Sequence, residues 1–237
     1  SVLADVVASV AAKEVPSREA CLALGARPRS LQFDIKPAGE RRTIPSGRDQ
    51  SIPGTLVMFT MIVLLTSGAI GIVIDRRLGL LRRLASAPLS RVEILLGKWL
   101  GVLSLGLVQI AFSMVVGTLL FGLDWGPDLA MVALVLLFWA AFVTSLALLV
   151  ASFTRTEGQV IGIGVLTSNV LAALGGCWWP IEITPRWMQQ LSSCLPTGWV
   201  MNALHRLVIF QTGASGAVAA LVCLASGAFV LGALAAR

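Results

Sequence analysis

The sequence carries little charge and a single histidine. Asp, Glu, Lys and Arg make up 13% of its 237 residues, whereas 57% are hydrophobic. Soluble domains carry about 25% charged residues, so this composition is typical of a membrane protein. His205 has no paired acids, Ser/His arrangement or metal-ligand spacing around it, which argues against an embedded enzyme or a metal site. We interpret His205 as a residue of an interfacial loop.

Five long runs contain no charged residue and no histidine: 54–74, 99–123, 129–153, 160–181 and 214–236. Each exceeds the ~18 to 20 residues that a helix needs to cross ~30 Å of hydrocarbon. The runs are longer and more uniformly apolar than barrel strands, which alternate in polarity over ~10 residues. The sequence therefore predicts an all-α polytopic membrane helix bundle, with residues 54–237 as its transmembrane domain.

Two further absences concern the source of energy. Gly97 and Lys98 are followed by Trp99 and lack the upstream glycine of a phosphate-binding loop, so hydrolysis of ATP would need a partner subunit. None of the five runs contains the internal acid, histidine or base that proton-driven carriers usually need. An ATP-independent carrier or channel is the alternative, but it would need a hydrophilic lining that these runs barely provide.

The charge that is present gathers in residues 75–98, which hold six Arg or Lys and two acids. Leucines at helical spacing, with arginines on the other side, predict an amphipathic helix that Pro88 ends. Ser90 and Glu93 then form a capping box that starts the next helix. The segment is thus a folded elbow. On spacing alone, its arginines either anchor the topology at anionic lipid or serve a partner.

Charge also orients the chain. If residues 75–98 are cytoplasmic, residues 1–53 are external. Eight Arg or Lys then lie inside, against six outside when only those near the first span are counted from residues 1–53. An external start with five spans implies a sixth span upstream. The net charge of +6 then reflects cytoplasmic loops, and we expect a lipid bilayer and no nucleic acid as partner.

The external segment 178–210 is too short and too polar to span. Thr184 and Pro185 predict an N-cap and the start of a helix over 185–195, which Pro196 to Gly198 break before another helix. Re-entrant or interfacial helices fit best, either as simple interfacial anchors or as an external gate. Glu182 is a gate residue in the second interpretation and a solvated loop acid in the first. The gate candidates are Trp178, Trp179, Pro180, Glu182, Trp187, Pro196 and Trp199.

A few polar residues and cysteines remain. Gln109 and Asn169, inside two spans, either line a substrate path or hydrogen-bond between helices. Thr154 and Glu157 predict a capping box at the start of the fourth span. Cys177 and Cys194 either form an external disulfide or stay unpaired, and both alternatives are open.

Two motifs resemble those of a known family. The stretch "RRLGLLRRLASAPLSRVEILLGKWLG" after "SIPGTLVMFTMIVLL" resembles the second span and coupling helix of type 2 ABC exporter permeases, matching at Gly79, Leu84, Pro88, Ser90 and Lys98 among others. The stretch "GGCWWPIEITPRWMQQLSSCLPTGWVMNALHRL" resembles the segment before the family's last span. One departure is Leu80, where the family has Thr. The resemblance covers residues ~50 to 237.

The resemblance implies a permease subunit of the inner membrane that binds no cofactor itself. A second permease subunit would complete a homo- or heterodimer, and a separate subunit with ATP and Mg²⁺ would drive export of an amphipathic drug, lipid or glycoconjugate. Residues 1–53 would be the tail of an external soluble domain. The residues that it assigns to ATPase coupling are Asp75, Arg76, Arg77, Gly79, Leu81, Arg83 and Pro88.

Overall fold

A computed structural model describes residues 47–80, 83, 86, 90–209 and 215–235. Within these ranges the chain is helical and contains no strand, as the uncharged runs predict. Residues 1–46, Leu81, Pro88 and most of the predicted amphipathic helix lie outside the described residues, so the external-domain prediction and the proline break remain predictions.

Five long helices and a group of short ones make up the described chain. The long helices are α1 (Arg48–Arg77), α2 (Arg91–Phe121), α3 (Leu129–Phe153), α4 (Glu157–Leu174) and α7 (Ser215–Ala235). Between α4 and α7 lie a 3-10 turn (Ile181–Ile183), α5 (Arg186–Cys194), α6 (Pro196–Leu204) and a π-helical turn (His205–Ile209). All five long helices are long and apolar enough to cross a membrane, which confirms the predicted helix bundle.

The predicted spans differ from the helices mainly at their ends. The third span, 129–153, coincides with α3, but α1 and α2 begin six and eight residues earlier than predicted, at Arg48 and Arg91. A run defined by the lack of charge misses helical ends that carry charged residues. The fourth helix ends at Leu174, well before residue 181, because the chain turns at Gly176, whose φ of 82° favours glycine.

Helices α1 and α3 form the centre of the bundle. Helix α1 packs against α2, α3 and α4, and α7 packs on α3. Trp139 of α3 is fully buried, stacks on Phe142 at 6.1 Å between ring centroids, and donates a hydrogen bond to the carbonyl oxygen of Val57 at 3.2 Å. This contact joins α1 to α3 in the interior, where an unpaired indole N–H is costly.

The capping predictions are partly confirmed. Ser90 and Glu93 form the predicted capping box, with the Ser90 amide donating to the Glu93 carboxylate at 2.7 Å. The prediction for α4 is wrong: Thr156 caps it by accepting from the Gln159 amide. Thr154 instead donates its hydroxyl to the Val150 carbonyl and closes α3.

Two predictions for the short helices are also corrected. Thr184 does not cap α5, since its hydroxyl donates to the Ile181 carbonyl at 2.6 Å, and Pro185 occupies the N-cap position. Pro196, Thr197 and Gly198 do not form the predicted break between two helices. Pro196 is the first residue of α6, where a missing N–H and a fixed φ are tolerated, so only Leu195 separates α5 from α6.

Candidate functional site

Most of the described Arg and Lys residues lie at one end of the helices, and most of the described Trp residues lie at the other. We call the end formed by residues 75–80, 90–98 and 151–157 the arginine end. The other, formed by residues 47–54, 121–129 and 174–209, is the tryptophan end. Of the predicted coupling residues, Asp75, Arg76, Arg77 and Gly79 lie at the first end, and the predicted gate residues lie at the second.

At the arginine end, α1 is held to α2 by an ion pair. The carboxylate of Asp75, near the end of α1, pairs with the ammonium group of Lys98 in α2. The Asp75 side chain is only 13% exposed. A carboxylate removed from water to this extent is strongly disfavoured without a partner, so the pair fixes where α2 starts against α1.

Arg76 binds the end of α3. Its two terminal nitrogens donate hydrogen bonds to the carbonyl oxygens of Ala151 and Thr154, both at 3.1 Å. The last carbonyls of a helix lack intrahelical donors and carry the negative end of the helix dipole. A guanidinium group satisfies two of them at once, which the point charge of a lysine does not match.

Arg77 reaches the start of α4. Its guanidinium lies 3.5 Å from the Glu157 carboxylate, with both side chains about half exposed. Surface pairs of this kind contribute only about 0.2 to 1 kcal/mol. The contact of Arg77 with Glu157 matters because it completes a series. Asp75, Arg76 and Arg77 are consecutive, and each contacts a different helix.

The chain after α1 contains the two remaining described coupling residues, Gly79 and Arg83. Leu78 ends α1 and is 68% exposed, and Gly79 has a φ of 71°, which reverses the chain away from the helix. Arg83 lies beyond the turn and is exposed. The structure therefore separates the predicted set into residues that contact the other helices and residues that face outward. Leu81 and Pro88 are outside the described residues.

The predicted gate tryptophans gather at the tryptophan end. Trp178 and Trp179 meet edge to face, with ring centroids 5.7 Å apart, and the Trp178 indole N–H points at the Met58 sulfur at 2.9 Å. Trp187 is 62% exposed. Pro180 immediately precedes the 3-10 turn that carries Glu182. Exposed indoles at one end of a membrane bundle are typical of a membrane–water interface.

The short helices are bound tightly to the long ones. Gln50 of α1 donates to the Gly176 carbonyl at 2.7 Å, and the Thr197 hydroxyl donates to the Leu171 carbonyl at 2.8 Å. Glycine permits the close approach: a Cβ at Gly54 would lie 2.0 Å from the Cys177 carbonyl oxygen. The region is thus a packed cap, which we call the tryptophan cap (residues 175–209).

A polar cavity lies inside the tryptophan cap. It encloses about 230 Å³ and is lined by Glu182, His205, Asn202 and Arg206, together with Trp199. His205 is only 4% exposed, so its interpretation as an interfacial loop residue is wrong. Burial lowers the pKa of His205, and the nearby Glu182 charge opposes that effect.

Two polar atoms around this cavity have no partner. The Glu182 Oε2 and His205 Nε2 atoms are buried and form no hydrogen bond. The Glu182 residue as a whole is only partly buried, so its interpretations as a gate residue and as a loop acid both remain predictions. A fully buried polar atom without a partner is rare in proteins, and it marks a place where a ligand or water belongs.

The two candidate substrate-path residues are not brought together. Gln109 lies in α2 beside a groove between α1 and α2, and its Oε1 atom is buried without a partner. Asn169 lies in α4 and donates to the carbonyl of Val165, one turn earlier in its own helix, at 2.8 Å. No hydrogen bond between helices therefore involves the Asn169 amide N–H₂ at this position.

The cysteines of the described chain are free thiols. Cys177 is buried and Cys194 exposed, and the structure contains no disulfide between them. Burial raises the pKa of the Cys177 thiol to about 12. Among the described residues, no group of three or more His, Cys, Asp and Glu is placed to hold a metal ion.

Sequence reasoning missed Gln50, Lys98 and the partners of Arg76. Lys98 belongs to the Gly-Lys pair and to the family motif, but no local signal connects it with Asp75. Its position next to the long uncharged run that begins at Trp99 is the one sign in the sequence, since a lysine near the membrane interior needs a partner.

The chain is similar in sequence to several known membrane transport proteins. The model of a family described as ABC-2 family transporter protein matches residues 24–237. The linearmycin resistance permease protein LnrN of Bacillus subtilis is 30% identical over 184 residues, covering 74% of this chain and 47% of that protein. The probable multidrug ABC transporter permease YbhR of Escherichia coli is 25% identical over 142 residues, covering 60% of this chain and 38% of that protein.

A more distant relative is ABC transporter G family member 20 of Dictyostelium discoideum, 24% identical over 163 residues, which cover 68% of this chain and 22% of that protein. The chain spans about half the length of LnrN, and less of the other two. Since the family match covers most of the sequence and both of its motifs, the chain belongs to the ABC-2 family of transporter proteins.

Proposed function

We propose that this chain is the membrane-spanning permease subunit of an ABC exporter. A separate ATPase subunit supplies the energy by binding and hydrolysing ATP with Mg²⁺, and a second permease subunit completes the translocation pathway. Membership of the ABC-2 family, five spanning helices and relatives named as permeases support this proposal. The sequence of this chain contains no phosphate-loop motif, which supports an ATPase on a separate subunit.

One observation carries the mechanism: Asp75, Arg76 and Arg77 connect the end of α1 to α2, α3 and α4 in turn. A partner that pushes on the outward-facing residues beyond this point moves the end of α1. Because the three contacts are made by consecutive residues, that movement reaches three further helices without a flexible step between them. Packed interfaces of this kind shift between discrete arrangements, which converts a local push into helix movement.

The partner surface lies next to these contacts. Leu78 and Arg83 are exposed, and Gly79 reverses the chain between them. An apolar and a cationic side chain on one turn suit a protein surface with an acidic rim. We assign the arginine end to the cytoplasmic side of the inner membrane on the excess of Arg and Lys there.

In this orientation the tryptophan cap covers the external exit. It is packed tightly enough to act as one unit, held by Gln50 to α1 and by Thr197 to α4. The substrate is an amphipathic molecule, such as a drug, lipid or glycoconjugate, because the helices offer apolar surfaces with few polar groups. Gln109, with a buried unpaired oxygen beside a groove, is a contact for its polar part.

The test is reconstitution of the full-length gene product. An affinity tag on the permease should copurify an ATPase subunit, and the complex in proteoliposomes should export a fluorescent amphipath only with ATP and Mg²⁺. The control is the same complex with the phosphate-loop lysine of the ATPase replaced. Export that persists in that control, or in the absence of any copurified ATPase, would indicate an ATP-independent carrier instead.

A further inference from the structure

The cavity in the tryptophan cap has an imbalance of hydrogen-bond donors and acceptors. Two of its donor side chains have partners: Gln189 donates to the carbonyls of Glu182 and Thr184, at 3.3 and 2.9 Å, and the Trp199 indole donates to the Ser193 carbonyl at 2.7 Å. The unpaired buried atoms are Glu182 Oε2 and His205 Nε2. A neutral imidazole protonated on Nδ1 accepts at Nε2, so both atoms are available as acceptors.

The missing partner of Glu182 Oε2 is therefore a hydrogen-bond donor, and a carboxylate favours a cationic one. Glu182 is the one carboxylate among the described residues that line the cavity. Arg206 also lines the cavity, and its Nε donates to Asn202 Oδ1 at 3.0 Å. Trp199 adds an aromatic wall, and cations bind favourably against indole rings.

Size and composition narrow the class of ligand. A volume of about 230 Å³ is below the ~300 to 1,000 Å³ of sites that enclose drug-sized molecules, so the cavity fits one headgroup. The lining offers two metal-type ligands, one imidazole and one carboxylate, whereas protein zinc sites use three or four. An ammonium group, with several N–H donors and one charge, matches better than a metal ion.

We propose that this cavity binds the ammonium group of an amphipathic amine, with Glu182 and His205 as its acceptors. This proposal rests on the proposed function, because it takes the amine to be either an export substrate or a membrane lipid at the external exit. Both sources present the same chemistry. The apolar part of the molecule stays outside the cavity, along the exposed surface of the cap.

The experiment measures binding to the full chain in phosphatidylcholine nanodiscs, without ATPase or ATP. Radiolabelled decylamine is the probe, empty nanodiscs give the background, and decanol is the uncharged competitor. We expect saturable binding of decylamine that decanol does not displace. Replacing Glu182 with Gln should weaken binding about 10- to 100-fold, as expected for loss of a charge-assisted hydrogen bond. The matched control is Asp128→Asn, an exposed acid at the same end whose side chain caps nothing.

A second variant keeps the result interpretable if Glu182→Gln fails to fold. His205→Leu removes the second acceptor from the cavity, so binding of decylamine should weaken about 10-fold at constant pH. In His205→Gln the side-chain oxygen replaces the lost acceptor, so this variant should bind decylamine more tightly than His205→Leu. Equal binding in wild type and His205→Leu would overturn the role of His205.

The lipid composition of the nanodiscs distinguishes the two sources of amine, a lipid headgroup and a non-lipid amine. If adding phosphatidylethanolamine to the nanodiscs raises the apparent Kd for decylamine, the lipid headgroup occupies the site; if it does not, the ligand is a non-lipid amine. Unchanged binding in Glu182→Gln, or equal binding of decanol, would overturn the proposal. Because the assay omits ATP, its failure is independent of whether ATP-driven export occurs.

Discussion

Asp75 and Lys98 form an ion pair across the connection between α1 and α2. The carboxylate is 13% exposed and the ammonium group 36%, so the two partners differ in how much they depend on each other. The lysine retains contact with water, whereas the aspartate has little. The pair therefore behaves as a fixed joint at the end of α1 from which Arg76 and Arg77 extend to the next two helices.

A double-mutant cycle should measure the coupling energy between Asp75 and Lys98. Lys98→Met leaves a largely buried carboxylate alone and should reduce the free energy of unfolding by about 1 to 3 kcal/mol. Asp75→Asn should cost less, because Lys98 remains partly hydrated. Adding Asp75→Asn to Lys98→Met should recover stability, giving a coupling energy of about 0.5 to 3 kcal/mol. Unfolding by sodium dodecyl sulfate in mixed micelles measures all four proteins, and strictly additive losses would show that the two residues are not coupled.

The spans were predictable because they depend on composition alone. A helix that must satisfy its backbone groups in lipid needs a long apolar run, and five such runs are in the sequence. The capping box at Ser90 was predictable for a similar reason, since Glu93 is only three residues away. Local spacing does not decide whether Thr154 or Thr156 caps α4. The Thr154 hydroxyl donates to the Val150 carbonyl at the end of α3, so Thr156 is the residue that caps α4.

The side-chain contacts within the candidate sites could not be predicted from the sequence. Arg76 binds carbonyl oxygens 75 and 78 residues away, and a backbone acceptor leaves no mark on residue type. His205 looked like an interfacial residue because nothing local shows that the tryptophan cap folds over it. The composition of a segment predicts where it lies relative to the membrane, whereas burial within the segment depends on packing.

Arg76 should couple hydrolysis to export. Arg76→Lys keeps the charge at the end of α3 but loses the paired hydrogen bonds, and each such bond to a charged group contributes about 1.5 to 3 kcal/mol. We expect the reconstituted complex to hydrolyse ATP at nearly the normal rate while the amount exported per ATP falls several-fold. The control is Arg91→Lys, at an exposed position at the start of α2. An unchanged ratio of export to hydrolysis in Arg76→Lys would exclude this role.

Gly198 should be essential for packing of the tryptophan cap. An added Cβ would lie 2.0 Å from the Ser192 carbonyl oxygen, a backbone atom that has no flexible side chain to move. Gly198→Ala should therefore lower the free energy of unfolding by about 1 to 3 kcal/mol or more. In Gly162→Ala the new Cβ meets no atom within 4 Å and alanine is the better helix former, so stability should not fall. Thermal unfolding followed by tryptophan fluorescence compares the two, and equal melting temperatures would contradict the close packing.

The orientation predicts which positions a reagent reaches from outside the cell. In a cysteine-free background, Ser86→Cys at the arginine end should resist a membrane-impermeant maleimide in intact cells, whereas Gln190→Cys in α5 should react. Both positions are exposed, so burial does not explain a difference. Permeabilised cells provide the control, because both cysteines should then react. The reverse pattern would place the tryptophan cap on the cytoplasmic side.

Cys177 and Cys194 should differ sharply in reactivity. The thiolate is the reactive form, and with a pKa of about 12 only about one Cys177 thiol in 10,000 ionises at a pH of about 8. Cys194 is exposed and should be alkylated by iodoacetamide within minutes, whereas Cys177 should react only after unfolding. Because the folded-state pKa of about 12 lies above the ordinary thiol value of 9.0, raising the pH from 9.0 toward about 12 should favour unfolding through this group. Peptide mass spectrometry after alkylation distinguishes the sites. Detection of a Cys177–Cys194 disulfide-linked peptide, or equal labelling of both thiols in the folded protein, would contradict the buried free thiol.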